Sequence, residues 1–153
     1  MSYVGAWAGA AVAVVVLAAA GGVGLLLRNR SGRFRRLDPP EQTTTDATRA
    51  TLTSLGVTAG TPVTLLQFSS AFCAPCRATR VLCADIAARV PGVRHVEVDA
   101  EGNLEAVRAL EIWRTPTVLL VDAELRVRSR ASGAPTRAQL LAAVAQVLPE
   151  PAQ

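Results

Sequence analysis

The feature that most constrains this chain is the placement of two closely spaced cysteines. Phe72-Cys73-Ala74-Pro75-Cys76-Arg77 follows a compact apolar run at residues 63–68 and opens a segment with helical spacing that reaches about residue 90. At a helix amino terminus the unpaired backbone N–H groups and the helix dipole favour an anion. A cysteine placed there has its thiolate stabilised, which is what a sulfur nucleophile needs. Cys76 lies one turn further on, within reach to form a disulfide with Cys73 or to resolve a mixed one. Pro75 is tolerated because the first helical turn needs no amide donor there.

The surrounding pattern alternates helix and strand. Residues 47–55 have the apolar spacing of a short helix, and 63–68 is rich in strand formers. Pro91-Gly92 stops the cysteine helix. Residues 93–98 alternate as a strand, and Asn103 is placed to cap a short helix through Leu110. Residues 117–121 read as a buried strand and 125–131 as a more polar one near an edge. Thr136 with Gln139 is a capping box that opens a last helix over 137–148. The order α-β-α-β-α-β-β-α implies a mixed sheet with helices on both faces.

The strand–CxxC–helix arrangement resembles the thioredoxin family over residues 47–149. Thr115-Pro116 strengthens the resemblance, because Pro116 lies forty residues beyond Cys76 and starts the strand at 117. That spacing is the family's spacing for its cis-proline. Gly133 matches a family glycine after the last strand. The resemblance implies that Cys73 is the nucleophile and Cys76 the resolving thiol, with Pro116 carrying the cis bond. Thr115 would offer backbone groups to an extended substrate segment, while Phe72 and Trp113 would border the substrate groove. It implies no cofactor beyond a redox-active Cys73–Cys76 disulfide. The Thr-Pro pair and the Val121-Asp122 ending further resemble membrane-anchored thioredoxin-like reductases of cytochrome maturation, without their usual insertion.

Three positions depart from the family pattern. The buried aspartate six residues before the first cysteine is Gln67 here, which does not titrate. A lysine often near that aspartate is replaced by His95, and the tryptophan before the first cysteine is Phe72. Proton transfer from Cys76 is therefore expected to be slow, or to run through water or His95. Pro75, Gln67 and His95 are read as structural or tuning residues.

Charge is distributed unevenly. All sixteen basic residues are arginine. Residues 1–37 hold five of them (Arg28, Arg30, Arg33, Arg35 and Arg36) and no acid, whereas residues 38–153 hold eleven arginines against twelve acids. A basic nucleic-acid groove spread over a domain is thereby excluded. Residues 3–27 carry no charge, and as a helix they would reach about 37 Å. Tyr3 and Trp7 sit near one end and the arginines at the other. The reading is an N-terminal transmembrane helix that precedes the thioredoxin fold, rather than a cleaved signal, because a positive leading region is missing. The expected division is an anchor with its arginine cluster at 1–37, a linker at 38–46, the α/β domain at 47–149 and a tail at 150–153. The arginines argue for a single-pass cell-membrane protein with its domain on the cytoplasmic side. Gly5 and Gly9 form a G-x-x-x-G pair, which in an alanine- and glycine-rich span is best read as chance.

Cys73 and Cys76 do not make half of a structural zinc site. Only Cys83 and His95 could add ligands, and there is no second CxxC. Cys83 is read as core, since free cysteine packs as a small hydrophobe. Arg77 and Arg80 are read as solvated. The expectation is a membrane-anchored protein-disulfide oxidoreductase acting as a reductase, since Ala-Pro between the cysteines resembles reductants. Its partners would be a protein disulfide or thiol substrate at the membrane, an electron-donating reductase and the lipid bilayer. Two alternatives are a membrane-tethered sulfur-relay or partner-binding module, and an extracytoplasmic reductase serving cytochrome maturation or secreted proteins.

Overall fold

The computed structural model describes residues 3–30, 32–37 and 45–148. It contains two compact units, Met1–Ser31 and Gly32–Gln153. Most of the expected 38–46 linker and the 150–153 tail lie outside the described residues, as do the side chains of Tyr3, Trp7, Arg28 and Arg30.

The first unit holds one helix, α1 (Tyr3–Arg30). The expected membrane anchor is nevertheless not upheld: among the described residues, no helix is long and apolar enough to cross a membrane. The side chains described along α1 are those of residues 11–24. The transmembrane helix is corrected accordingly. So are the assignments that depend on it: the membrane-anchored subfamily, the single-pass location with its domain side, the lipid bilayer and membrane-bound substrate as partners, and the membrane-tethered sulfur-relay or partner-binding alternative.

The second unit is built on a five-stranded sheet in the order β1-β5-β4-β2-β3. Its strands are β1 (Phe34–Arg36), β2 (Val63–Ser69), β3 (Val93–Asp99), β4 (Thr117–Asp122) and β5 (Val127–Ser132). β2 pairs parallel with β3 and antiparallel with β4, and β5 pairs antiparallel with both β4 and β1. The helices are α2 (Asp46–Ser54), α3 (Ala74–Arg89), α4 (Leu104–Ala109) and α5 (Arg137–Val147).

Side-chain alternation along the two central strands divides the core. Val63 and Leu65 of β2, with Val118 and Leu120 of β4, pack against Cys83 and Ile86 of α3 and Leu140 and Val144 of α5. Leu66, Phe68, Leu119 and Val121 point to the opposite face, where they meet Leu52 of α2 and Ala106 of α4. Every residue of β2 and β4 is buried, as befits strands covered on both faces. The capping box of α5 forms as the sequence implies, with Thr136 and Gln139 satisfying each other's backbone N–H. Asn103 precedes α4 without capping it through its side chain; its Nδ2 instead donates to the Asp99 carbonyl.

β1 was not foreseen. It consists of part of the arginine cluster, pairing Phe34 with Ala131 and Arg36 with Ser129. Phe34 packs on the α3/α5 side of the core and Leu37 on the other. β5 is therefore one strand in from the edge. Arg35 and Arg36 are exposed on the true edge, where charge discourages further strand pairing.

Phe68 has no exposed surface and joins β2 to both α2 and α4 through the core. Phe68→Ala is expected to cost about 3–5 kcal/mol of unfolding free energy, read from the shift in a urea or guanidinium denaturation midpoint.

Candidate functional site

β2 ends at Ser69, and the chain turns through residues 70–72 into α3. Cys73 is the residue that caps this helix. Its Sγ accepts the backbone N–H of Cys76 at 3.1 Å, and its carbonyl accepts from Cys76 and Arg77. Pro75 occupies the first turn, where its missing N–H costs nothing. Cys73 and Cys76 are joined as a disulfide with Cα atoms 5.2 Å apart. The two sulfurs differ in access: Cys73 is half-buried, whereas Cys76 is 1% exposed. One can meet a large substrate and the other cannot.

A cleft of about 380 Å³ opens beside the pair, lined by Ser69, Ser70, Cys73, Cys76, Arg80 and Glu97 among others. The Thr115–Pro116 peptide bond is cis. Its loop is tied to the cysteine loop by a 2.9 Å hydrogen bond between the hydroxyls of Thr115 and Ser70. Gly133 secures the other side, donating its N–H to the Pro116 carbonyl at 2.7 Å. The φ of Gly133 is 96°, a conformation that favours glycine.

Phe72 and Trp113 are almost wholly exposed, at 101% and 88%. Both are large apolar side chains left on the surface, Phe72 immediately before Cys73 and Trp113 two residues before Thr115.

Beneath the disulfide runs a chain of polar groups. Gln67 is fully buried, and its Nε2 donates to the Cys76 carbonyl at 3.0 Å and to the Ser69 hydroxyl at 2.8 Å. Ser69 in turn donates to Glu97 Oε1 at 2.7 Å, and the other Glu97 oxygen pairs with Arg80. Arg80 is thus bound to a carboxylate rather than simply solvated. Sequence reasoning missed Glu97 and Ser69. Glu97 is the direct β3 neighbour of Gln67, so the parallel register would have pointed to it, had the register been readable locally.

Burial would raise the Glu97 carboxyl, but the hydrogen bonds from Arg80 and Ser69 and the charge of Arg80 hold it below the usual range. Burial pushes His95 below the ordinary imidazole value; the Glu97 charge opposes this and the Arg80 charge adds to it. His95 lies opposite Leu65, one β-repeat away from the Gln67–Glu97 pair. Its Nε2 is buried without a hydrogen-bond partner among the described residues. No hydrogen bond links it to either cysteine among those described.

Cys83 is fully buried in the α3 core. Burial, and then the Glu97 charge, push its thiol up to about 12. Among the described residues, no group of three or more His, Cys, Asp or Glu could hold a metal ion.

Comparison with known proteins agrees with this geometry. The thioredoxin family model matches residues 48–146. No match is found among curated proteins. Among solved structures, Fasciola hepatica thioredoxin is 23% identical, with a TM-score of 0.52, covering 63% of this chain and 86% of its own. Malassezia sympodialis thioredoxin is 23% identical, with a TM-score of 0.51, covering 60% and 80% respectively. A thioredoxin from Nicotiana alata is 18% identical, with a TM-score of 0.53, covering 65% and 83%. At these identities the likeness is one of fold.

Two outcomes follow from the shifted groups. In the folded protein at pH 8, Cys83 is expected to escape alkylation by iodoacetamide and to react only after unfolding, as read by mass spectrometry. His95 and Glu97 both have folded pKa values below their unfolded ones, so the unfolded chain takes up protons first as pH falls. Their contribution is complete above about pH 6.5 and is lost progressively below it. Urea midpoints should decline on acidification, and His95→Gln should flatten the first part of that decline.

Proposed function

The chain belongs to the thioredoxin family, and from that premise we propose that it reduces protein disulfides, with Cys73 as nucleophile and Cys76 as resolving thiol. The fold with its formed Cys73–Cys76 disulfide makes it a thiol–disulfide oxidoreductase whose redox group is that disulfide. The observation that carries the reading is the asymmetry of the pair, an accessible sulfur at the helix cap above a buried one.

In the forward direction the Cys73 thiolate attacks one sulfur of a substrate disulfide. That S–S bond breaks, a substrate thiolate leaves, and a mixed disulfide forms on Cys73. Cys76 gives up its proton and attacks the Cys73 sulfur. The second substrate thiolate leaves, and Cys73–Cys76 is left oxidised. A dithiol donor restores the starting state by the reverse exchange. The backbone N–H of Cys76, which faces the Cys73 sulfur in the disulfide, stabilises the same sulfur as an anion.

Thr115 and Pro116 shape the loop beside the cysteines, and Thr115 offers backbone groups to an extended substrate segment. Phe72 and Trp113 supply exposed apolar surface on which such a segment can settle. Gln67 and Pro75 tune the site, Gln67 by holding the Cys76 carbonyl without adding a titrating group. His95 has no route to Cys76 by hydrogen bonds among the described residues and is best read as a partly buried strand residue.

The test is insulin reduction with dithiothreitol as donor. Turnover should vanish in Cys73→Ser. Cys76→Ser should trap a mixed disulfide visible as a mass adduct. Trp113→Ala should lower kcat/KM by roughly three- to tenfold, mostly through KM, as expected when about 1 kcal/mol of apolar contact is removed. A reduction potential as high as about −120 mV would mark an oxidant and overturn the proposed direction.

A further inference from the structure

Gln67 is buried in the core of a site whose chemistry moves protons, yet half of its amide is unused. Both protons on Nε2 are committed, one to the Cys76 carbonyl and one to the Ser69 hydroxyl. Neither arrangement can reverse. The Cys76 carbonyl has no proton to give. The Ser69 proton is already donated to Glu97, an ionised carboxylate that only accepts and is held in place by Arg80. A flipped amide would set its oxygen against the Cys76 carbonyl oxygen. The direction of donation is therefore imposed from both ends, by Glu97 and by Cys76. Oε1 is left buried with no donor among the described residues. A buried acceptor without a donor is costly, and such atoms are rare in folded proteins.

In the oxidised state the Cys76 sulfur carries no hydrogen. We infer that Gln67 Oε1 accepts the thiol proton that Cys76 acquires on reduction, directly or through one water, and so serves as a redox-linked positioning residue. This rests on the reading of Cys76 as the buried resolving thiol. Reduction by a dithiol breaks the Cys73–Cys76 bond and transfers two electrons to its sulfurs. The donor becomes a disulfide, and its two protons pass to the new thiols. The proton on Cys76 creates an S–H donor on a buried residue whose carbonyl Gln67 already holds. Oε1 is satisfied in the reduced state and unsatisfied in the oxidised one, so the equilibrium shifts toward the dithiol. Cys76 is held neutral, which leaves Cys73 at the helix cap as the sulfur that ionises. Glu97, acting through Ser69, keeps the amide turned so that its oxygen remains free.

The experiment compares the full chain with Gln67→Met, which has similar length and no acceptor. In mixtures of reduced and oxidised dithiothreitol, the variant should favour its disulfide roughly three- to tenfold more than the parent. A tenfold change corresponds to about 30 mV for this two-electron couple. The second readout is the infrared S–H stretch of Cys76, isolated in a Cys73→Ser, Cys83→Ala background. The band should lie at a hydrogen-bonded frequency with Gln67 present and move up to a free-thiol frequency in Gln67→Met. An unchanged equilibrium, or a free-thiol band with Gln67 in place, overturns the inference. The second result needs no Gln67 variant to fold. Neither readout uses a protein substrate, so a protein inert toward insulin would refute the reductase reading without touching this one.

Discussion

The site depends on the burial of β2 on both faces. A strand covered on one side by α3 and α5 and on the other by α2 and α4 has no freedom to shift register, because a slip of one residue would exchange its two apolar sets. Leu65 and Leu66 illustrate the point, being adjacent in sequence and buried in opposite halves of the core. With β2 held, its end at Ser69 is held, and with it the short turn that delivers Cys73 to the first turn of α3. The reactive sulfur is positioned by core packing more than by any contact it makes itself.

The same strand carries polar groups inward. Gln67 and Ser69 are two residues apart, so they share the face that looks toward α3 and β3. Their neighbour across the parallel pair is Glu97. The outcome is a carboxylate at the rim of the cleft and a neutral amide beneath the disulfide. Separating the two keeps a charge out of the most buried part of the site, where desolvation would be most costly. Arg80 compensates Glu97 at the surface, so the site as a whole is not strongly charged.

Much of this was legible in the chain. The capping box at Thr136 and Gln139, the start of α3 at the cysteines, and the strands expected at 63–68 and 117–121 follow from local rules of period and capping, which act within a few residues. The Thr115-Pro116 loop was legible through its spacing from Cys76. The uncharged amino-terminal run does form a helix, but the membrane span inferred from its length is not supported. β1 was illegible because Phe34-Arg35-Arg36 has no periodicity of its own. Those residues become a strand only because β5 offers an unpaired edge and the core has room for Phe34.

Sequence alone thus determined the order of the elements from α2 to α5, the placement of the cysteine pair at a helix start and the substitution of a non-titrating glutamine six residues before it. Each depends on neighbours along the chain. Tertiary structure decided which side chains the pair would live among. It brought Glu97 to Gln67, left Trp113 outside and made part of an arginine cluster into a sheet edge. Those outcomes depend on strand register and on the packing of two helical layers, which join residues far apart in sequence and leave no local trace.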